Sequence, residues 1–544
     1  MTSKEQFSKY LNTYLSEKNK FDEFEVRFGT NKNSPITKIK FDNVIKKLKS
    51  LGFNCISKDY HLNIFTNYID SQSGKTKQSN IRTKINEIVN IQNYCTTNTL
   101  NLEDPTKASY IKFEQKFTKK VGTDFLNAID FDDFEFRINY KTERIITNSN
   151  KNVIGLLNSW NDSKKIFRLI KRFTFYKDGF PLRFDLSIVK SSNKKWVNGP
   201  YVPEYNIENS NVFKNPESYE IEIECKNDLC FKLDKENLMK QLRNSIKIIL
   251  SGLQFSNYPI SYNEQRVVLD EYMKVIYGNK PDRKIFTNDF LGPSSISLEI
   301  IHTIPLSKDI ISPNIRNPYT VTEKADGTRH LLFITESGKI YLINVTMDVI
   351  FTGCVSKNKK IYNSILDGEL VVNDKHGRFI NYFLCFDIYI LNNKNIMPFP
   401  FVNMEGLEYP QNMDKTIFRY TLLDKTIHSL ELVSITGSET IPLNIKSKKF
   451  YKNTSETIFS QCNQILSKIE NEEFIYETDG LIFTPINMGV GSQIIGEKLD
   501  FSKSLKKTWF QSFKWKPPEF NTIDFLVTIK KDERKKDIIH SKFN

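Results

Sequence analysis

The sequence predicts an α+β chain: a large antiparallel sheet first, then a second domain built around short Asp-Gly motifs. Three observations predict it. Strand-period segments with one charged and one apolar face recur between residues 21 and 225. A helix-period stretch at 234–250 follows, with Leu238, Leu242, Ile246, Ile249 and Leu250 on one face and Asp234 in the N-cap position. A series of motifs, TEKADGTR, LDGEL, CFD, TDGLIFT and KWKPP, then runs through residues 322–518. At 544 residues there is chain enough for two or more domains, each with its own core.

The strands come in order of their charge. SYEIEIECK, 218–226, places Glu220, Glu222 and Glu224 on one face and Ile221 and Ile223 on the other, because strand side chains alternate. Same-face carboxylates about 7 Å apart repel by roughly 0.6 kcal/mol in water and roughly 2.4 kcal/mol at an effective dielectric of 20. A wet surface tolerates that, whereas an enclosed site needs a compensating cation, and a hard divalent ion suits oxygen ligands. In FDEFEVRFG, Glu23, Glu25 and Arg27 oppose Phe24, Val26 and Phe28. IRTKI aligns Arg82 with Lys84, and YIKFEQKFT aligns Lys112, Glu114 and Lys116. FEFRINYKTER aligns Glu135, Arg137, Asn139, Lys141 and Glu143, and LRFDLSIV aligns Arg183, Asp185 and Ser187. Acids interleaved with bases in this way are unusual for solvent. A sheet that closes into a barrel turns one face into a lumen. There the acids would coordinate metal and the bases would neutralise phosphate oxygens. The apolar outer face would need cover, which the 234–250 helix offers.

Lysine and arginine number 78 against 64 aspartates and glutamates, a net charge of +14 with pI near 9.1, which fits an anionic partner, nucleic acid or nucleotide first. No run of about 18 apolar residues occurs, so no membrane span is expected. The start, MTSKEQFSKY, lacks an apolar signal core, so a cytoplasmic, non-secreted protein is expected. The seven cysteines form no C-x-x-C pair and read as reduced thiols.

In TEKADGTR, Lys324 is followed by Asp326-Gly327 and Arg329. Neighbouring cations and partial burial favour an unprotonated lysine amine, the form that acts as a nucleophile. Asp326-Gly327 permits a tight turn and close backbone approach. Arg329, Lys514 and Lys516 supply positive field, Glu369 and Asp479 are acids suited to polar or metal contact, and Phe386 offers an aromatic ring.

The first-half pattern, with Glu23-x-Glu25 at one end and Glu220-x-Glu222-x-Glu224 at the other, resembles the triphosphate tunnel metalloenzymes. These include the RNA triphosphatases of fungal and large-DNA-virus capping systems. The resemblance implies an antiparallel tunnel barrel and a Mg2+ or Mn2+ site made by Glu23, Glu25, Glu220 and Glu222, with Glu224 nearby. It implies that Arg27, Arg82, Lys84, Lys116, Arg137, Arg183 and Asp185 bind phosphate or order the attacking water. The second-half motifs, in their order, resemble the covalent nucleotidyltransferases: mRNA guanylyltransferases and ATP-dependent polynucleotide ligases. LGPSSISL at 291–298 resembles the segment preceding the guanylyltransferase core. That likeness implies Lys324 as nucleophile, Arg329 and Glu369 at the ribose, and Phe386 at the base. It gives Lys514 and Lys516 to the α-phosphate and Asp479 to the metal side, with Asp326 and Gly327 forming the turn beside the nucleotide.

Three segments are expected: 1–255 triphosphatase, 256–518 guanylyltransferase, and 519–544, where NTIDFLV resembles the first strand of an OB domain that does not fit in the remaining length. The expected function is mRNA 5′ capping. The γ-phosphate of 5′-triphosphate RNA is removed, and GMP then passes from GTP through Lys324 to the diphosphate end, giving GpppRNA. A methyltransferase domain or subunit and RNA polymerase are the expected further partners. The alternative is an ATP-dependent ligase whose first half only binds nucleic acid, and a third is a non-catalytic RNA-binding scaffold. MGVGSQIIG at 488–496 lies inside the transferase and is not a methyltransferase motif.

Overall fold

The computed structural model of the chain describes residues 3–30, 35–70, 73–100, 102, 109–279, 283–306, 313–409, 417–452, 457–497, 508–522 and 525–526. It divides into two units, Met1–Arg266 and Val267–Asn544. The segment 519–544 lies for the most part outside the described residues. Among the described residues no helix is long and apolar enough to cross a membrane.

Eight strands frame the first unit. They are β1 (Asp22–Phe28), β2 (His61–Ile69), β3 (Thr76–Asn86), β4 (Ile111–Thr118), β5 (Phe136–Ile146), β6 (Lys165–Tyr176), β7 (Leu182–Ser191) and β8 (Ser218–Cys225). Their hydrogen-bonded order is β1-β8-β7-β6-β2-β3-β4-β5, and β5 pairs again with β1. Each neighbouring pair is antiparallel. The sheet therefore closes on itself as the expected barrel, and its two faces become a lumen and an outer wall.

The outer wall is apolar and covered. Phe24, Val26, Ile138, Tyr140, Phe184, Leu186, Ile221 and Ile223 form one core with helices α1 (Ser3–Glu17), α2 (Lys38–Ser50) and α5 (Lys235–Leu253). Asp234 caps α5 by accepting from the Asn237 backbone N–H at 2.8 Å. Leu238, Leu242, Ile249 and Leu250 are buried, and Ile246 is partly so. Each fully buried leucine or isoleucine contributes about 1.5–3 kcal/mol. Leu62, Ile64, Ile81, Ile85, Phe113, Phe167 and Leu169 form a second core that takes in Ile91 and Tyr94 of α3 (Ile88–Thr97) and Val153 and Leu156 of α4 (Lys151–Asn158). With alternate residues committed to these cores, the charged partners on each strand must face inward.

The second unit holds a five-stranded and an eight-stranded sheet. The first contains β9 (Tyr319–Ala325), β13 (Thr478–Pro485) and β14 (Thr508–Trp515); the second contains β10 (Thr328–Ile334), β11 (Ser364–Asn373) and β12 (Phe379–Leu391). Val321, Leu481, Phe483 and Phe513 pack with Ile458, Cys462 and Ile465, and Leu332, Ile334, Leu366, Phe383 and Ile388 form a separate core with Leu423. All seven cysteines are free.

Candidate active sites

Register decides which carboxylates meet in the barrel. β1 and β8 pair with Glu25 opposite Glu224 and Arg27 opposite Glu222. Glu23, Glu25 and Glu224 consequently bring carboxylate oxygens within 4.8 Å of one another. Burial, with Glu222 and Glu23 close by, pushes the Glu25 carboxyl up to about 7. Burial likewise pushes Glu224 up to about 8 against the pull of Arg183, with Asp185, Glu23 and Glu222 adding to the rise. Three oxygen donors crowded this way, two of them reluctant to ionise together, fit a hard divalent cation.

Glu220 and Glu222, expected in the metal set, pair with arginines. Arg168 Nη2 donates to Glu220 at 2.6 Å, and Arg27 Nη2 lies 3.6 Å from it. Arg27 Nε lies 2.9 Å and Arg172 Nη2 3.4 Å from Glu222. The three glutamates of β8 share a face; Glu224 brings an oxygen within 4.8 Å of Glu23 and Glu25, and Glu222 lies near enough to help raise the Glu25 carboxyl.

The bases ring the rest of the lumen. Arg82 donates to Glu114 from Nε at 2.8 Å and to Glu143 at 3.1 Å, and Lys84 lies 3.7 Å from Glu114. Lys116 bridges Glu23 and Glu143, each at 2.7 Å. Burial works against its charge, but these two carboxylates hold its ammonium above the usual range. Arg183 pairs with Glu224 and, at 3.4 Å, with Asp185. Asp185, 1% exposed, also accepts from Thr174 Oγ1 at 2.6 Å and from Arg172 Nη1 at 3.2 Å. Arg137 differs: it stands at the start of β5, half exposed, with both of its donors on Asp130 at 2.7 and 3.0 Å. Arg168 and Arg172 were not legible in the sequence, because Ile170 sits between them on the same face and Lys171 breaks the alternation.

In the second unit β9 and β13 run antiparallel, with the register shifting between Glu323 and Ala325. Lys324 sits at that irregularity, and its Nζ donates to Asp479 Oδ1 at 2.6 Å. Lys516 Nζ holds Asp479 Oδ2 at 2.7 Å. Partial burial works against the Asp479 carboxylate, but its bonds from Lys324 and Lys516 keep it below the ordinary range. Gly480 lies at φ +143°, and a Cβ there would sit 1.9 Å from the Trp515 carbonyl oxygen, so only glycine lets β14 and Lys516 come this close. Gly327 plays the same part on the other side, where a Cβ would meet Leu370 O at 2.7 Å and Glu369 Cγ at 2.8 Å. Asp326, exposed, is anchored through its backbone N–H to Glu477 O at 2.8 Å.

Arg329 stands opposite Glu369 in the β10–β11 register. Its guanidinium donates to Asp367 at 3.1 and 2.5 Å and to Pro293 O at 2.8 Å. The guanidinium carbon lies 5.5 Å from the Phe290 ring and 5.8 Å from the Phe386 ring. Burial pushes the Glu369 carboxyl up to about 7, with Lys448 and Lys324 opposing. Lys514 is exposed, opposite Ile482 on β13, while Lys516 turns into the pocket. Sequence reasoning missed Asp367, which also accepts from the Tyr389 hydroxyl, although it stands in the same LDGEL motif. It also missed the buried pair Lys448–Glu323 at 3.2 Å, for which no local motif gives a signal.

Residues 279–499 match the protein family described as mRNA capping enzyme, catalytic domain. The chain is 27% identical over 398 residues to the probable mRNA-capping enzyme of Acanthamoeba polyphaga mimivirus, covering 68% of this chain and 29% of that protein. It is 25% identical over 237 residues to the mRNA-capping enzyme of Danio rerio, covering 42% of this chain and 34% of that one. The chain thus spans about a third of the length of the curated relatives it matches. Among solved structures, the mimivirus capping-enzyme triphosphatase is similar with a TM-score of 0.30 and 19% identity, covering 45% of this chain and 96% of that one. The matching family and both relatives are capping enzymes, not polynucleotide ligases.

Proposed function

We propose that this chain carries the first two steps of mRNA capping: removal of the γ-phosphate from 5′-triphosphate RNA by the barrel, then GMP transfer from GTP by the Lys324 pocket. The observation that carries it is the closed lumen in which Glu23, Glu25 and Glu224 converge opposite arginines and lysines. The capping-enzyme family match over residues 279–499 supports the activity given to the second unit.

In the barrel, Arg82, Lys84, Lys116, Arg172 and Arg183 neutralise the triphosphate oxygens, and Asp185 keeps Arg172 and Arg183 aimed into the bore. Mg2+ or Mn2+ held by Glu23, Glu25 and Glu224 would supply further charge neutralisation at the γ-phosphate. Water adds to the γ-phosphorus, the β–γ bridging P–O bond breaks, and inorganic phosphate leaves a diphosphate end. In the second unit Lys324 Nζ attacks the α-phosphorus of GTP. The P–N bond forms as the P–O bond to pyrophosphate breaks, and Asp479 Oδ1, at 2.6 Å, is the adjacent acceptor for the amine proton. Arg329 and Glu369 face the ribose and Phe386 the base. The terminal oxygen of diphosphate RNA then attacks the α-phosphorus, the P–N bond breaks and GpppRNA is released. A cytoplasmic site of action, with a methyltransferase and RNA polymerase as partners, belongs to the same proposal.

Incubation with labelled GTP or ATP, followed by peptide mapping, tests the second unit. GMP on the Lys324 peptide is expected, and an adduct formed only from ATP would replace capping with ligation. Glu23→Ala is expected to stop metal-dependent γ-phosphate release while sparing the GMP adduct; release that survives it would remove the barrel assignment.

A further inference from the structure

Two lumen residues carry no charge where their neighbours do. Leu62 and Ile64 of β2 are committed to the outer core, so His61 and Asn63 face inward. They stand between β3, where His61 is opposite Asn86 and Asn63 opposite Lys84, and β6, where they are opposite Ile170 and Arg168. Both are buried, at 7% and 4% exposure. Among the described residues Arg168 Nε, a donor, and Asn63 Oδ1, an acceptor, have no hydrogen-bond partner, which is rare for buried polar atoms; the first fits an anion's oxygen and the second a water or another donor.

The surroundings of His61 are cationic. Burial first, and then Lys84 of β3, Arg172 of β6, Arg82 of β3 and Lys58 in the segment before β2, hold the imidazole far down, at about 2. Among the described residues no carboxylate forms an ion pair with it. Glu114 of β4 is engaged by Arg82 and Lys84, and Asp59 accepts from the backbone N–H groups of Tyr60 and Ile88. The histidine is therefore neutral first because it is buried and then because the unpaired charges acting on it are positive. A bound polyanion reverses the sign of that field, and an opposite charge within about 4–6 Å favours the protonated form.

We propose that β2 is the second wall of the polyphosphate site: as a polyphosphate enters the bore, His61 takes a proton from solvent and holds one of its oxygens as a cation, beside Asn63 and the free Nε of Arg168. The proposal rests on the tunnel reading of the barrel and deepens it. A lysine at position 61 would add one more unpaired cation to a lumen already crowded with them, whereas a histidine adds its charge only together with the anion.

Calorimetric titration of the full chain with inorganic tripolyphosphate, without metal so that nothing is hydrolysed, tests this. Runs at pH 6.5 in buffers of different ionisation enthalpy give the protons taken up. The wild type is expected to take up more protons on binding than His61→Gln, by a fraction of a proton up to one, and to gain up to about tenfold in relative affinity over the variant per pH unit of acidification. Binding with equal proton uptake in the two proteins overturns the histidine proposal and leaves the tunnel standing. If neither binds tripolyphosphate, the tunnel reading itself fails. Should His61→Gln not fold, carbon-labelled histidine NMR of the wild type decides: one of the six histidines must pass from neutral to charged shifts on adding tripolyphosphate, and none doing so overturns it.

Discussion

Glu25→Gln separates what the lumen costs from what it does. Glu25 is 4% exposed, and its carboxyl is raised from 4.5 to about 7 by burial and by Glu222 and Glu23. A carboxyl whose folded pKa is raised destabilises the fold at pH values above it. The penalty is complete above pH 7, shrinks between 7 and 4.5, and vanishes below that. At 1.36 kcal/mol per unit it amounts to about 3 kcal/mol at pH 8 and under about 1 kcal/mol at pH 5. Glutamine keeps the acceptor for Asn139 Nδ2, now 2.8 Å away, and carries no charge. Without metal, Glu25→Gln is therefore expected to be more stable than wild type by about 1–3 kcal/mol at pH 8 and nearly equal to it at pH 5. Metal closes or inverts the gap: Mn2+ at about a hundred times its dissociation constant stabilises the wild type by roughly 2.7 kcal/mol, and the variant by much less. Urea unfolding at both pH values, with and without Mn2+, measures all four quantities. A variant less stable than wild type at pH 8 without metal, or equally stabilised by Mn2+, would refute the clustering of like charges as the basis of the site.

The remaining expectations follow from single contacts. Lys324→Ala abolishes the covalent nucleotide, read by gel or mass spectrometry, and leaves γ-phosphate release unchanged. Asp367→Asn removes a fully buried carboxylate from Arg329 and Tyr389, and destabilises the second unit by about 3–5 kcal/mol in denaturant unfolding, with loss of the adduct. Arg172→Ala, which removes one cation from each of Asp185 and Glu222, lowers γ-phosphate release by at least roughly tenfold while the GMP adduct forms normally. Gly480→Ala forces β14 away from β13 and costs the adduct even though residue 480 carries no chemistry of its own.

The closed barrel was legible because β1, β3, β4, β7 and β8 alternate charge with apolar residues, and closure is the arrangement that gives such a face an interior. β6 and β2 were not legible. Lys171 lies outside, over the Tyr60 ring at 5.0 Å, which breaks the charge alternation of β6, and His61 and Asn63 do not read as charged at all. Which glutamates converge was also beyond the sequence, since alternation fixes the face of a strand but not its offset against a partner some 200 residues away. Arg137 stands opposite Arg27 in the β1–β5 register, and it donates to Asp130. In the second unit, Lys324, Asp479 and Lys516 meet as their motifs implied, because β9, β13 and β14 are neighbours in one sheet. Asp367 escaped notice although it shares a face with Glu369 on β11. Its partner is the Arg329 side chain, whereas Glu369 is the residue opposite in register.

The most direct measurement is anomalous scattering from crystals of the full chain soaked in Mn2+. A manganese peak bounded by Glu23, Glu25 and Glu224 inside the barrel is the expected result. A peak at Glu220 and Glu222, or a bore that takes up no manganese while γ-phosphate is still released, would contradict it.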